Sequence, residues 1–426
     1  MDYNEAKEFL NRLLDRERAV RPSYPDSLDE YREFLRRMGN PHNGLKSILV
    51  AGTKGKGSTA FFLYEILRKL GFKTGLYTSP HLVEVRERVR FNGRCISGRD
   101  FGRIVGKIAP HVESVGFRSV FETLTTLAFF YFRERETDYS VFEVGLGGRL
   151  DATNVVSPCV SVLTDISYDH THVLGKRLRD ITREKLGITR KNIPLVSQAQ
   201  SPMVRRYVRE FFHGDVFFVG KDEKVEIESI SMDGVKFIYR GEEFFIPIPG
   251  AYQAMNAATA IEVVIRMGLD FDYKNVKSAL KKAFWPGRFH IISKNPLIVL
   301  DGAHNLKSTK VLVDNWERVT GESPVILFTA MKRKPLKRML LELKRIADEF
   351  VFTTLPLKRA LGIDLLKKKG EEAGLKSKGF GSVNEAWAYV KSLNRPILVT
   401  GSLYLVGEVL KEEGVSPCRN IQRIDR

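Results

Sequence analysis

Cysteine is scarce in this chain: Cys95, Cys159 and Cys418 are all it has in 426 residues. Their spacing matches no metal-ligand pattern, and an odd set cannot pair evenly, so no disulfide framework is expected. Such usage suits a reduced, cytoplasmic setting. Long apolar runs are also missing. No stretch approaches the roughly 20 residues that a membrane span requires, so no membrane partner is expected. The opening Met1-Asp-Tyr-Asn-Glu-Ala-Lys7 reads as an amphipathic helix without the apolar core of a signal peptide. Only four Gln stand beside abundant Lys, Arg and Glu, a balance shared by heat-adapted proteins. Neither an internal repeat nor a low-complexity tract is present.

Acidic residues are the other shortage. Against 69 Lys and Arg stand 51 Asp and Glu, a formal net charge of +18. A surplus of this kind attracts anions, and nucleic acid is the first class to test. The basic residues are spread among acids, however, with short runs only at 332–334 and 367–369. No helix-turn-helix, zinc finger or aromatic-studded basic sheet accompanies them, so nucleic acid is not an expected partner. The charge suits small anionic substrates and a solvated surface instead.

What the chain does have is the run Val50-Ala-Gly-Thr-Lys-Gly-Lys-Gly-Ser-Thr59, directly after an apolar stretch and before a helical one. Glycines at Gly52, Gly55 and Gly57 let backbone N–H groups converge on phosphate oxygens. A following helix N-terminus adds partial positive charge, Lys56 adds a full one, and Thr53, Ser58 and Thr59 add hydroxyls. The spacing is not that of the common nucleotide loop: position 50 is Val where Gly is usual, and Gly57 follows the lysine. A chance Gly-rich turn is the bland alternative. Strand, lysine and hydroxyls together favour a nucleoside triphosphate site.

Apolar strands are expected at 47–51, 75–78, 140–144, 160–165 and 194–198, with amphipathic segments such as 122–133 and 178–185 between them. This alternation predicts an α/β fold, a mostly parallel sheet with helices on both faces. Residues 216–248 read as an antiparallel excursion with a Met-Asp-Gly turn at 232–234, and a helix follows over 253–267. The stretch 285–296 is rich in turn residues. Fresh strands at 297–301, 325–329, 350–354 and 397–400 then predict a second, smaller Rossmann-like sheet. Two domains are expected, 1–290 carrying the phosphate loop and 296–426 following it.

The loop pattern Gly-Thr-x-Gly-Lys-x-Ser-Thr resembles that of the Mur-type amide ligases, and in particular folylpolyglutamate and dihydrofolate synthases. Further segments are similar to that family's signatures: Leu76-Tyr-Thr-Ser-Pro-His-Leu82, Phe121-Glu-Thr-Leu-Thr and Glu143-Val-Gly-Leu-Gly-Gly-Arg-Leu-Asp-Ala-Thr-Asn154. So are Asp169-His-Thr-His-Val-Leu-Gly175, Glu184-Lys-Leu-Gly-Ile188, Asn256-Ala-Ala-Thr-Ala, Pro286-Gly-Arg288, Leu300-Asp-Gly-Ala-His-Asn305 and Thr400-Gly-Ser-Leu-Tyr404. Their order over about 350 residues, rather than any one of them, carries the resemblance.

The resemblance implies ATP bound by Gly52, Thr53, Gly55, Lys56, Gly57, Ser58 and Thr59. Asn256 would read the adenine, Arg288 would meet phosphate, and Asp301 would complete the site from the second domain. It implies Mg²⁺ at Ser79 and Glu143, and a second Mg²⁺ shared by Glu143 and His170. Glu143 at a strand end could otherwise be a structural bridge, and a lone His is more often a hydrogen-bonder than a Mg²⁺ ligand. Lys185 would be carbamylated, although a helical Lys is ordinarily a solvated one. Lys56, Lys185 and His304 would be the catalytic side chains. Phe121 and Asp151 would hold the pterin; core packing and a helix cap are the bland readings of those two. Expected substrates are ATP, L-glutamate, dihydropteroate and tetrahydrofolates, and the expected state is a monomer.

Two segments depart from the family pattern: Tyr252-Gln253 replaces His-Gln, and Glu84-Val-Arg-Glu-Arg-Val89 replaces Arg-Phe-Asn-Glu-Arg-Ile. A cell-wall Mur ligase is the nearest alternative, but only about 46 residues precede the loop strand where those enzymes carry a whole domain. A nucleic-acid-stimulated ATPase is the alternative from another class.

Overall fold

The computed structural model describes residues 1–13, 25–114 and 119–418. Its first sheet has eight strands: β1 Ser47–Ala51, β2 Thr74–Tyr77, β3 Val89–Phe91, β4 Arg94–Cys95, β5 Tyr139–Glu143, β6 Pro158–Leu163, β7 Leu195–Gln198 and β8 Val216–Val219. Their order is β4-β3-β2-β5-β1-β6-β7-β8. The strands from β2 to β8 in that order pair in parallel, while β3 and β4 fold back antiparallel at one edge. From β1 the chain moves to one side, through β2 to β5, and then crosses to β6 on the other. That reversal leaves a crevice at the carboxyl ends of β1, β5 and β6.

Alternate residues of β1 enter opposite cores, Leu49 and Ala51 on one face and Ile48 and Val50 on the other. Both faces of a parallel strand are covered, which is why the strand reads as an unbroken apolar run. Helix Lys56–Lys69 lies on the second face, against helix Ala251–Arg266. Small buried Ala254, Ala257, Ala258 and Ala260 let those helices approach closely. Glu262, fully buried on the same helix, accepts from Tyr239 Oη and from both Arg240 and Arg266.

An antiparallel sheet of β9 Val225–Ser231, β10 Gly234–Tyr239 and β11 Glu242–Ile246 packs beneath that helix. The third sheet comprises β12 His290–Lys294, β13 Leu297–Leu300, β14 Val325–Phe328, β15 Glu349–Thr353, β16 Lys376–Phe380 and β17 Ile397–Thr400, in the order β12-β13-β17-β14-β15-β16. All neighbours pair in parallel except β12 with β13. Its two cores again take alternate residues, Leu297 and Val299 against Ile298 and Leu300.

The α/β architecture matches the expectation, with three local differences. Strand β8 extends the parallel sheet rather than joining the antiparallel excursion, because Phe218 and Val219 plug opposite cores of that sheet. The turn-rich stretch at 285–296 contains β12, whose hairpin with β13 caps the sheet edge. Strand β16, Lys-Ser-Lys-Gly-Phe, is a polar edge strand with no apolar alternation to announce it.

Cysteine usage is the plain correction. Cys95 on β4 and Cys418 after the last helix form a disulfide, with Cα atoms 5.3 Å apart and 323 residues between them in sequence. Only the fold creates that approach. Cys159 is free and half-buried. Among the described residues, no helix is long and apolar enough to cross a membrane.

Candidate active site

The phosphate loop leaves β1 at Ala51 and turns where only glycine fits. Gly52 has φ 149°, and a Cβ there would overlap the Thr164 hydroxyl on β6's extension. Gly55, at φ 87°, caps helix Lys56–Lys69 with no side chain, so its first N–H groups keep no capping partner. Neighbouring strands brace the loop: Thr53 N donates to Asp165 O at 2.6 Å, and Thr53 Oγ1 donates to Ser167 O at 3.1 Å. Thr59 lies one turn into the helix.

Asn256 stands directly behind this loop. Its Oδ1 accepts from Gln198 Nε2 at 2.9 Å and Thr59 Oγ1 at 3.4 Å, and it is the atom that a Cβ at Gly55 would strike. Its Nδ2 donates to Gln253 Oε1 at 3.0 Å. The geometry gives Asn256 a brace on the loop, beside any part in holding a base.

Glu143 ends β5 opposite Val50. Its carboxylate accepts Ser79 N at 3.0 Å, and the absent Cβ of Gly57 lets the first helical turn come near, since that atom would lie 3.2 Å from Glu143 Oε2. Ser79, Glu143, Gly57 and Arg288 line one narrow cleft between the first and third sheets, with Arg90 and Trp285. Among the described residues, no three His, Cys, Asp or Glu side chains gather as a metal cage. One carboxylate beside a serine at a phosphate loop is instead the partial shell that Mg²⁺ takes when substrate phosphates supply the rest. His170 sits after β6, not in that cleft lining, with a φ of 50° and its Nε2 3.8 Å from Asp169 Oδ1.

Lys185 is buried in helix Leu178–Leu186, and its Nζ donates to Gly52 O at 2.8 Å. Burial, reinforced by Lys56, lowers this amine to about 7. Gly148 makes the approach possible: a Cβ there would press on the carbonyls of Glu184 and Lys185. Lys185 is therefore a core amine and not a solvated one.

Across the cleft, Asp301 follows β13. Its two oxygens accept Phe289 N and Ala303 N, each at 2.8 Å, so the carboxylate staples its own loop beside Arg288. Burial raises its pKa, with Arg288 opposing. Burial raises the pKa of Tyr252, one of the two departures, with Asp301 adding to the rise and Arg288 opposing it. His304 Nδ1 lies 2.9 Å from Gly302 O, a carbonyl that only accepts; Nδ1 thus carries the proton, and Nε2 presents a lone pair. Lys54 and burial hold this imidazole well below its usual pKa, so it is neutral.

Phe121 and Asp151 meet at Gly145, whose missing Cβ would touch the Phe121 ring and lie 3.3 Å from Asp151 Oδ2. Phe121 is half-buried, 5.9 Å between ring centres from Tyr77. Asp151 is already engaged, accepting Leu146 N, Thr153 N and Thr153 Oγ1 as the cap of a short 3₁₀ turn. The other departure, the segment 84–89, is a tight loop in which the buried Glu87 carboxylate gathers the N–H groups of Leu82, Val83 and Glu84. Leu82 and Val83 pack into a core of the third sheet.

Sequence reasoning missed Lys54, Asp169 and Lys334. Lys54 Nζ reaches Asp169 Oδ2 at 3.3 Å and His304 Nε2 at 3.4 Å, while Lys334 Nζ is 3.6 Å from Asp169 Oδ1. The local signals were a second lysine inside the glycine loop, Asp169 at the head of its signature segment and the basic run at 332–334.

Two family profiles match the chain: the Mur ligase middle domain over residues 50–264, and the Mur ligase glutamate ligase domain over 287–403. The class is accordingly an ATP-dependent ligase of the Mur type. The dihydrofolate synthase/folylpolyglutamate synthase of Bacillus subtilis is 30% identical over 96% of this chain and 98% of its own. Folylpolyglutamate synthase of Thermotoga maritima superposes with a TM-score of 0.83 at 29% identity, covering 96% of each chain. The Mycobacterium tuberculosis folylpolyglutamate synthase, solved with ADP and AMPPCP, gives a TM-score of 0.87 at 26% identity over 97% of this chain and 99% of that one. The chain belongs to the folylpolyglutamate and dihydrofolate synthase family of Mur ligases.

Proposed function

We propose that this enzyme joins L-glutamate to tetrahydrofolates and also to dihydropteroate, consuming ATP. The observation that carries the reading is the cleft in which Gly57, Ser79 and Glu143 of the first sheet's domain face Arg288, at the start of the third sheet. A carboxylate does not accept an amine at neutral pH without activation. Its oxygen attacks the γ-phosphorus of ATP, ADP leaves, and an acyl phosphate forms. The glutamate amine then attacks the acyl carbon, phosphate departs with the C–O electron pair, and the amine loses its proton.

Loop N–H groups, Lys56 and Arg288 neutralise charge on the transferring phosphoryl group. The neutral His304, its Nε2 meeting Lys54 of the phosphate loop, would complete the reacting site from the second domain. Glu143 and Ser79 would hold a Mg²⁺ that supplies charge stabilisation, and Glu143 and His170, with a carbamylated Lys185, would hold a second. Support for the carbamate is the buried amine at about 7, neutral enough to capture CO₂. Phe121 would stack on the pterin beside Asp151. Residues 1–290 and 296–426 act as two domains closing on ATP, in a cytoplasmic monomer with no nucleic-acid partner.

The test is phosphate release from Mg·ATP and L-glutamate with dihydropteroate or tetrahydrofolate supplied separately. Glutamylated product from both acceptors is expected. Product from tetrahydrofolate alone would reduce Phe121 and Asp151 to structural roles, and none from either would contradict the reading. Lys56→Ala should cost roughly a hundredfold or more in kcat, far more than Phe121→Ala in the same assay.

A further inference from the structure

We infer that Lys54 and Asp169 are a positioning pair, which docks the His304 loop of the second domain onto the phosphate loop of the first. Lys54 belongs to the loop itself, and its ammonium is shared between Asp169 Oδ2 and His304 Nε2. Asp169 also takes Asn305 Nδ2 at 3.0 Å, from the residue next to His304, on that same Oδ2. Both links cross the cleft, joining residues 250 and 136 positions apart. Nearby, Lys307 Nζ makes a two-pronged bridge to Asp165 at 2.7 and 2.9 Å.

Chemistry assigns each partner its direction. An ammonium only donates, and the protonated Nδ1 of His304 leaves Nε2 as the acceptor. The pair thus fixes where the His304 ring and its loop lie relative to bound phosphate. An error of about 1 Å between reacting groups can cost a hundredfold. Asp169 is 14% and Lys54 24% exposed at the side chain, so this bond operates with little water around it. The inference rests on His304 as a group of the reacting site.

The experiment uses the full-length enzyme with Lys54→Met, Lys54→Arg, Asp169→Asn, His304→Ala and the double variant Lys54→Met/His304→Ala. Thermal melts first establish that each variant folds. Lys54→Met and Asp169→Asn are expected to lower kcat about tenfold or more, about 1.4 kcal/mol in the barrier, with KM for ATP within about threefold of wild type. Lys54→Arg, which retains a donor, should recover most of the loss. The double variant should lose no more than His304→Ala alone, because Lys54 acts through His304. A KM for ATP raised tenfold at unchanged kcat would instead make Lys54 a simple phosphate ligand and overturn the inference, as would additive losses in the double variant.

A second readout requires no turnover, so its failure is distinct from failure of the glutamate-ligase reading. Ring-nitrogen NMR of His304 should show the Nδ1–H tautomer with Nε2 hydrogen-bonded in the wild type, and that bond lost in Lys54→Met. An Nε2–H tautomer in the wild type would overturn the inference even in a fully active enzyme.

Discussion

Lys185 sits in the core against Gly52 O, and its amine has a folded pKa of about 7 against an ordinary 10.5. Between those values the unfolded chain binds more protons than the folded one, so this residue makes stability rise with pH across that window. Lys185→Met should flatten the rise. Denaturant midpoints of both proteins at about pH 7.5 and about pH 9.5 measure it; equal slopes would contradict the assigned burial. Sequence alone placed Lys185 on a helix but could not tell a buried face from a wet one. Glycines were more legible, because Gly52 and Gly55 have left-handed or extended positive φ values that announce a turn. Asn256 is expected from the sequence as an adenine contact, whereas its bracing of Gly55 appears only when helix and loop are in contact. Lys54 and Asp169 lie 115 residues apart, and no local pattern encodes such a pair.

At the scale of elements, the central strands were readable because both faces of each are buried, so apolar runs and strands coincide. Strand β16 has no such mark: its pairing with β15 is set by backbone register at the sheet's edge. Helix Ala251–Arg266 matters most to the site, since it carries Asn256 behind the loop and Glu262 toward the antiparallel sheet. Glu262 has no exposed side-chain surface and three hydrogen-bond partners. Removing it leaves Arg240 and the buried Tyr239 hydroxyl without their acceptor and Arg266 with Asp215 alone, so Glu262→Ala should destabilise by roughly 3 kcal/mol. Glu262→Gln keeps an acceptor oxygen and should cost less. Urea unfolding of the two variants decides this; equal and small losses would show that the cluster contributes little.

Two doubly wound sheets, with the antiparallel sheet packed against the first, are held together at the cleft by polar pairs and by a covalent link. The tail that bears Cys418 also docks by Ser416 Oγ to Glu84 Oε1 at 2.8 Å, and Pro417 lines the cleft itself. Closing a loop of 323 residues restricts the unfolded chain strongly, so reduction or Cys95→Ser should lower stability by roughly 2–5 kcal/mol. A melting temperature unchanged by reductant would contradict a formed bond.

The central claim is amide formation through an acyl phosphate in the cleft between the two sheets. Heavy oxygen placed in the carboxylate of the folate acceptor tests it most directly, by mass spectrometry of the phosphate released during ligation to glutamate. The account predicts one labelled oxygen in that phosphate for each amide bond formed. Unlabelled phosphate, with glutamylated product formed, would mean that the carboxylate never attacked the γ-phosphorus, and would contradict the mechanism.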